Sequence, residues 1–242
     1  MEAPVLAIPV RPAVARPQIP TRPTRALAVP KVLLCDLDGT LIDTMPILAD
    51  LATDVLEEMY GMPRDLARDM YLGTSGLPFI RQLDVICPDD ARNPVASDRF
   101  ERQKPARCAV AAMRGSTVRA LGALQAGGTR IVVSSNNGVE NVAAFAAASG
   151  FPFDLLLGYD GRGLSKGAPH IERAAATFGV DRTQMLFVGD SLHDGEIAEK
   201  ENLTFVGIAG TFSKERFSLR FPGLPVVDRV ADLLDLFAAS AA

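Results

Sequence analysis

The sequence predicts an α/β protein in which helices cover both faces of a parallel β-sheet. Short apolar runs rich in branched residues recur along the chain, and segments with helical periodicity separate them. Strands that alternate with helices return to the sheet through right-handed crossovers and therefore lie parallel. Polar residues follow several runs, and ligand sites in open α/β sheets lie at the carboxyl ends of the strands. The predicted strands are residues 31–35, 129–133, 153–157, 184–189 and 204–208.

Composition excludes several classes of function. The chain has 242 residues with 48% hydrophobic and 22% charged residues, which is ordinary for a globular domain with a sizeable core. A net charge of −4 offers no basic surface for nucleic acid, and no apolar run is long enough to cross a bilayer. The cysteines, at 35, 87 and 108, have no disulfide-like or metal-like spacing. We therefore expect a cytoplasmic protein with reduced thiols and no nucleic-acid or membrane partner.

Residues 1–30 differ from the rest of the chain because they contain seven prolines and a single acid, Glu2. Proline blocks helices and removes backbone donors, so this arm is predicted to be extended or disordered. An unstructured tail and a segment that wraps a neighbouring subunit both remain open. An organelle transit peptide is disfavoured, because the prolines oppose an amphipathic helix.

The first predicted strand ends in two carboxylates, within Asp36-Leu37-Asp38-Gly39-Thr40-Leu41. Two unpaired buried carboxylates side by side would be costly, so a cation must compensate them. A hard divalent ion with oxygen ligands, most simply Mg²⁺, is the natural candidate. The sequence thus predicts a metal-dependent site at the end of this strand.

Residues 45–113 are predicted to form a helical subdomain. Apolar residues between Ile47 and Met59 recur at helical spacing, and further helical segments follow near 64–71, 77–86 and 94–112. The loop Gly73-Thr74-Ser75-Gly76 could contact substrate, although a simple turn between helices explains it equally well. Basic residues here could hold an anionic substrate or only solvate helix faces. They are Arg81, Arg99, Arg102, Lys104 and Arg107.

Three later segments carry further candidate residues. Ser134 and Ser135 follow the second strand, where a hydroxyl and a backbone N–H could bind phosphate or cap a helix. Lys166 stands at a helix start, where the helix dipole disfavours a cation, so its position suggests a site role. Asp190 and Asp194 follow the fourth strand, where an N-cap accounts for only one acid. His170 and His193 are expected at helix starts or on the surface rather than as ligands.

The motif 36–41, together with Ser134, Lys166 and Gly189-Asp190-x-x-x-Asp194 in this order, resembles the haloacid dehalogenase-like superfamily. One departure is Lys166-Gly167, where the family usually has Lys-Pro. The resemblance implies a Rossmann-like core of residues 31–44 and 114–242, with residues 45–113 as an inserted helical C1 cap that closes over the substrate.

The resemblance also implies the chemistry. Asp36 would attack phosphorus, and Asp38 would serve as general acid and base. Mg²⁺ would be held by Asp36, Asp190 and the backbone carbonyl of Asp38, with Asp194 supporting this arrangement. Ser134, Ser135 and Lys166 would bind the phosphate. An acid at position 38 favours phosphate esters over halide or phosphonate substrates.

The expected function is therefore Mg²⁺-dependent hydrolysis of a small phosphorylated metabolite, such as a sugar phosphate or phosphoglycolate, by a monomer or homodimer. A phosphosugar mutase would share every core motif. A non-catalytic protein that retains the fold is a third possibility, although neither Asp36 nor Asp38 is lost.

Overall fold

A computed structural model describes residues 27–238, and the prediction for the amino-terminal arm falls largely outside this range. The core is a six-stranded sheet in the order β3-β2-β1-β4-β5-β6, and every neighbouring pair is parallel. This confirms the predicted α/β class. The strands are β1 Val32–Cys35, β2 Arg130–Gly138, β3 Leu155–Tyr159, β4 Met185–Gly189, β5 Thr204–Ile208 and β6 Val226–Val227.

The position of β1 in the sheet determines where a ligand can bind. The strand pairs with β2 on one side and β4 on the other, so the chain order reverses between β1 and β4. Open sheets bind ligands at such a switch point, beyond the carboxyl ends of the strands. Cys35 is level with Val133 and with Val188, so the acidic loops that follow β1 and β4 begin at the same edge.

Both faces of the sheet are buried, because alternate residues of each strand point to opposite sides. Leu33 and Cys35 join one apolar cluster, while Val32 and Leu34 join the other. Helices cover these two faces. These helices all lie after residue 113. They are α5 Gly115–Ala126, α6 Val139–Ser149, α7 Ala168–Phe178, α8 Leu192–Lys200, α9 Lys214–Arg220 and α10 Leu233–Ala238.

The segment between β1 and α5 is helical, with an apolar cluster of its own. Its helices are α1 Met45–Tyr60, α2 Arg64–Gly73, α3 Phe79–Ile86 and α4 Asn93–Cys108. Helix α1 starts with Pro46 in its first turn and ends at Gly61, which has a left-handed φ of 68°. At the centre of the cluster the rings of Phe79 and Phe100 stack with centroids 4.1 Å apart.

The carboxyl-terminal part differs most from the sequence expectation. Helix α9 and strand β6 were not predicted. The sequence near 229–239 is typical of one closing helix, but the structure has a 3-10 turn at Val230–Asp232 followed by α10. These elements have seven residues or fewer, too few for a clear hydrophobic period. Within residues 27–238, no helix combines the length and apolarity needed to span a membrane.

Candidate active site

The loop after β1 presents Asp36 and Asp38 at the carboxyl edge of the sheet. Asp36 N–H donates to the carbonyl of Val188 over 3.0 Å, which continues the ladder between β1 and β4 up to the acid. The chain then turns sharply at Gly39, whose φ is 81°. A Cβ on Gly39 would overlap the carboxylate of Asp190, so only glycine allows the two loops to approach this closely.

Lys166 lies between two acids. Its Nζ is 2.5 Å from Asp36 Oδ1 and 2.7 Å from Asp194 Oδ1, and all three side chains are almost completely buried. Desolvation would lower the pKa of this lysine, but Asp194 and Asp36 outweigh it and raise the pKa, so the ammonium stays charged. Asp194 is also fixed through its second oxygen, which accepts from the Ser191 hydroxyl over 2.7 Å.

Asp36, Asp190 and Asp194 form a compact acidic cluster, with one carboxylate oxygen from each within 4.8 Å of the others. Burial is the main reason why the pKa of Asp190 is raised well above its usual range, and repulsion from Asp36 and Asp194 adds to it. Burial likewise raises the pKa of Asp36 to about 7, although Lys166 opposes the rise. One ammonium cannot neutralise three carboxylates, so the donor set fits a divalent cation with oxygen ligands.

Asp38 has different partners from Asp36. Its Oδ1 accepts from Thr44 Oγ1 over 2.6 Å, and its Oδ2 accepts from Asn137 Nδ2 over 2.6 Å and from Lys104 Nζ over 3.0 Å. Burial would raise the pKa of Asp38, but Lys104 and the hydrogen bonds outweigh burial and lower it. Lys104 also contacts Asn137 Oδ1. The two acids of one motif therefore have opposite electrostatic environments.

The adjacent serines Ser134 and Ser135 lie within β2 and point in different directions. Ser135 lines the cavity with Asp36 and Lys166, whereas Ser134 Oγ lies 3.0 Å from His170 Nδ1 inside the core. His170 Nε2 lies 3.2 Å from the carbonyl of Gly158, and burial lowers its pKa to about 4, so it is neutral. Of the two serines, only Ser135 lines this cavity, because successive strand residues face opposite sides.

Asp36, Asp38, Ser135, Lys166 and Asp190 line a cavity of about 60 Å³, and residues of the helical segment line the rest of it. Ser75, from the loop between α2 and α3, lines this cavity, and its buried hydroxyl has no hydrogen-bond partner among residues 27–238. The same loop is braced by Gln82, whose Nε2 donates to the carbonyl of Leu77 over 2.9 Å. Asn136 connects the loop to the core, since its Nδ2 donates to the carbonyl of Gly76 over 2.8 Å.

The model for haloacid dehalogenase-like hydrolases matches residues 33–208, well over half of the chain. The chain belongs to the haloacid dehalogenase-like hydrolase family. The phosphoglycolate phosphatase of Rhodospirillum rubrum is 30% identical over 219 residues, which cover 86% of this chain and 90% of that protein. The phosphoglycolate phosphatase of Rhodobacter capsulatus is 27% identical over 186 residues, covering 72% and 82% respectively.

Solved structures agree on the fold. A crystal structure described as a predicted phosphatase from Clostridium acetobutylicum superposes with a TM-score of 0.72 at 21% identity, and the match covers 87% of this chain and 97% of that one. The two sequence relatives are phosphatases by name, and this chain is a phosphatase of the same haloacid dehalogenase-like family.

Five of the site residues predicted from sequence line one cavity. They are Asp36, Asp38, Ser135, Lys166 and Asp190. Asp194 lies behind Lys166, and Ser75 of the candidate substrate loop reaches the same cavity. Within that loop, Thr74 instead donates to the carbonyl of Met70 over 2.9 Å.

Sequence analysis did not single out Thr44, Asn137 or Thr211, and it left Lys104 among several equivalent basic residues. Of those, Arg99, Arg102 and Arg107 pair with exposed or half-exposed acids of the helical segment, whereas Lys104 reaches Asp38. Asn137 lies in the same Ser-Ser-Asn-Asn run as the predicted serines, a polar run at a strand end that could have drawn attention to it.

Proposed function

We propose that the protein is a Mg²⁺-dependent phosphatase that hydrolyses a small phosphorylated metabolite through an aspartyl-phosphate on Asp36. The observation that carries the proposal is one juxtaposition. A buried carboxylate touches a buried lysine, two further acids lie within 4.8 Å, and a second motif acid, Asp38, faces the same cavity.

In the first step, an Asp36 carboxylate oxygen attacks phosphorus and the bond from phosphorus to the leaving oxygen breaks. Asp38 gives that oxygen a proton, so the product alcohol leaves neutral. Lys166 is already in contact with Asp36, so its ammonium can stabilise charge on the transferring group without moving far. The Ser135 hydroxyl, on the same cavity wall, is placed to bind another phosphoryl oxygen.

In the second step, Asp38 takes a proton from water, and the water oxygen attacks phosphorus to release phosphate and restore the Asp36 carboxylate. Lys104 lowers the pKa of Asp38 against the effect of burial, so this carboxyl is ionised, which is the form that a base requires. The acid role of the first step needs a protonated Asp38. We therefore expect the Lys104 ammonium to turn away from Asp38 when substrate occupies the cavity.

Asp36 and Asp190, with the backbone carbonyl of Asp38, are the residues proposed to hold the cation. When bound, Mg²⁺ would act as a Lewis acid that neutralises phosphoryl charge. Asp194 is proposed to orient Lys166 rather than to bind the ion, because its oxygens already accept from Lys166 and Ser191.

We propose further that residues 45–113 form a cap over a core of residues 31–44 and 114–242, and that the cap selects the substrate. A cavity of about 60 Å³ favours a small leaving group. The unpartnered buried hydroxyl of Ser75 favours a leaving group with a polar atom of its own. Lys104 would suit a carboxylate, and two relatives are named phosphoglycolate phosphatases, so phosphoglycolate is the first substrate to test.

The test is release of inorganic phosphate from a panel of small phosphate esters by the wild type and by Asp36→Asn, with and without Mg²⁺. We expect turnover by the wild type only, and only with the metal. Wild-type turnover by Asp36→Asn would refute the mechanism. Return of phosphate to a sugar in the presence of a bisphosphate activator, instead of its release to water, would identify a mutase.

A further inference from the structure

Thr211 contacts the acidic cluster from outside every motif segment. It lies in the turn between β5 and α9, and its Oγ1 donates to Asp190 Oδ2. We propose that Thr211 is a positioning residue that fixes the Asp190 carboxylate in the orientation that binds the divalent cation. This inference rests on the metal site of the proposed function.

The surroundings of Asp190 Oδ2 support this role. The Thr211 hydroxyl donates to this oxygen, and Gly39 approaches it so closely that an added Cβ would overlap it. An oxygen enclosed in this way is poorly placed to reach an ion. The hydrogen bond therefore leaves Oδ1 as the atom of Asp190 that is free to coordinate.

The charges around Asp190 explain why such a restraint is needed. Asp36 and Asp194 both lie within the acidic cluster, and Lys166, the one cation within residues 27–238 that pairs with this cluster, is bound to those two acids. When Asp190 ionises to bind the ion, repulsion from these neighbours favours rotation of its side chain away from them. The Thr211 hydroxyl, which donates to Asp190 Oδ2, opposes this rotation without adding a charge.

The turn that carries Thr211 is well anchored, so the hydroxyl can act as a fixed point. The next residue, Phe212, is buried and packs edge-on against Phe217 with ring centroids 6.3 Å apart. Gly210 N–H donates to the carbonyl of Phe212 over 3.2 Å, and Ala209 N–H donates to the carbonyl of Val227 over 2.8 Å.

The expected effect is on metal affinity more than on folding. Loss of a hydrogen bond that orients a metal ligand typically weakens binding about 10- to 100-fold. Thr211→Val removes the hydroxyl and keeps the branched shape, whereas Thr211→Ser keeps the hydroxyl and removes the methyl group. We expect Thr211→Val to weaken binding within this range and Thr211→Ser to stay close to the wild type.

The experiment is titration of metal-free full-length protein with Mg²⁺ by calorimetry and with Mn²⁺ by electron paramagnetic resonance. Thr53→Val is the matched control, because Thr53 Oγ1 donates to the carbonyl of Ala49 within α1, in the helical segment rather than at the acidic cluster. An unchanged dissociation constant in Thr211→Val, or equal weakening in Thr211→Ser, would overturn the inference. A wild type that binds neither ion would overturn the proposed metal site and this inference together.

Discussion

Replacing Asp36 with asparagine is expected to abolish activity. It is also expected to make the stability of the metal-free protein fall less as the pH rises. The carboxyl is only 5% exposed, and burial is the largest influence on it. Lys166 lowers its pKa and Asp194 raises it, and the net result is a rise from 3.8 to about 7. Asparagine has nearly the same shape and does not titrate in this range.

The direction of the effect follows from proton binding. The unfolded chain releases this proton near its ordinary pKa, whereas the native metal-free protein keeps it until about pH 7. This group therefore favours the native state fully below its ordinary pKa, and that contribution is lost as the pH rises through the native pKa. A rise from 3.8 to about 7 corresponds to about 4 kcal/mol over the whole range.

The assay is urea unfolding in the presence of a chelator at several values between about pH 4 and pH 8, a range set by the two pKa values. As the pH rises across this range, we expect the free energy of unfolding of the wild type to fall by up to about 4 kcal/mol more than that of Asp36→Asn. Asp84→Asn, which removes an exposed acid from α3, is the control and should parallel the wild type. Parallel curves for the wild type and Asp36→Asn would refute the electrostatic reasoning.

Two further substitutions test the surroundings of the acids. Lys104→Met removes the cation that holds the pKa of Asp38 down, so the acidic limb of the pH–rate profile, which reports the ionised Asp38 that the second step requires, should move to higher pH. A limb that stays in place would contradict the assigned role of Lys104. Gly39→Ala forces a left-handed residue and overlaps Asp190, so it should cost about 1–3 kcal/mol in urea unfolding and weaken Mg²⁺ binding in calorimetry.

Each of these variants has a matched control. Arg102→Met lies on the same helix as Lys104 but removes a cation that pairs with the exposed Asp98, so the pH–rate profile should not move. Gly61→Ala has a similar φ of 68° with no atom near the added Cβ, so it should reproduce the backbone strain without affecting metal affinity. Equal loss of metal binding in both glycine variants would show that overlap with Asp190 is not the cause.

Local patterns were enough to predict the strands that carry the acids. The apolar runs before Asp36 and Asp190 identify buried parallel strands from sequence alone, because their composition reflects burial on both faces. Once the strands are parallel, their carboxyl ends share one edge, so the meeting of these acids could be expected. Lys166 was expected near the site for a different reason, because a cation is unfavourable at a helix start.

Which of the two serines in β2 faces the cavity could not be predicted, because the answer depends on which alternate residues of the strand point towards the site. A change of one residue exchanges the two faces, and β2 runs five residues past the predicted end at 133, to Gly138. His170, which was expected at a helix start, does lie in the first turn of α7, yet it is fully buried against Ser134.

The sequence by itself determined the sheet, its order of polar loops and the acids at its edge, since these depend on contacts between neighbours in the chain and on burial of apolar runs. Only the tertiary structure decided that Lys104, Asn137 and Thr211 complete the site. Lys104 and Asn137 lie 66 and 99 residues from Asp38, and Thr211 lies 21 residues from Asp190. Such contacts depend on the rotation of one helix and the path of one turn, which no local pattern of residues specifies.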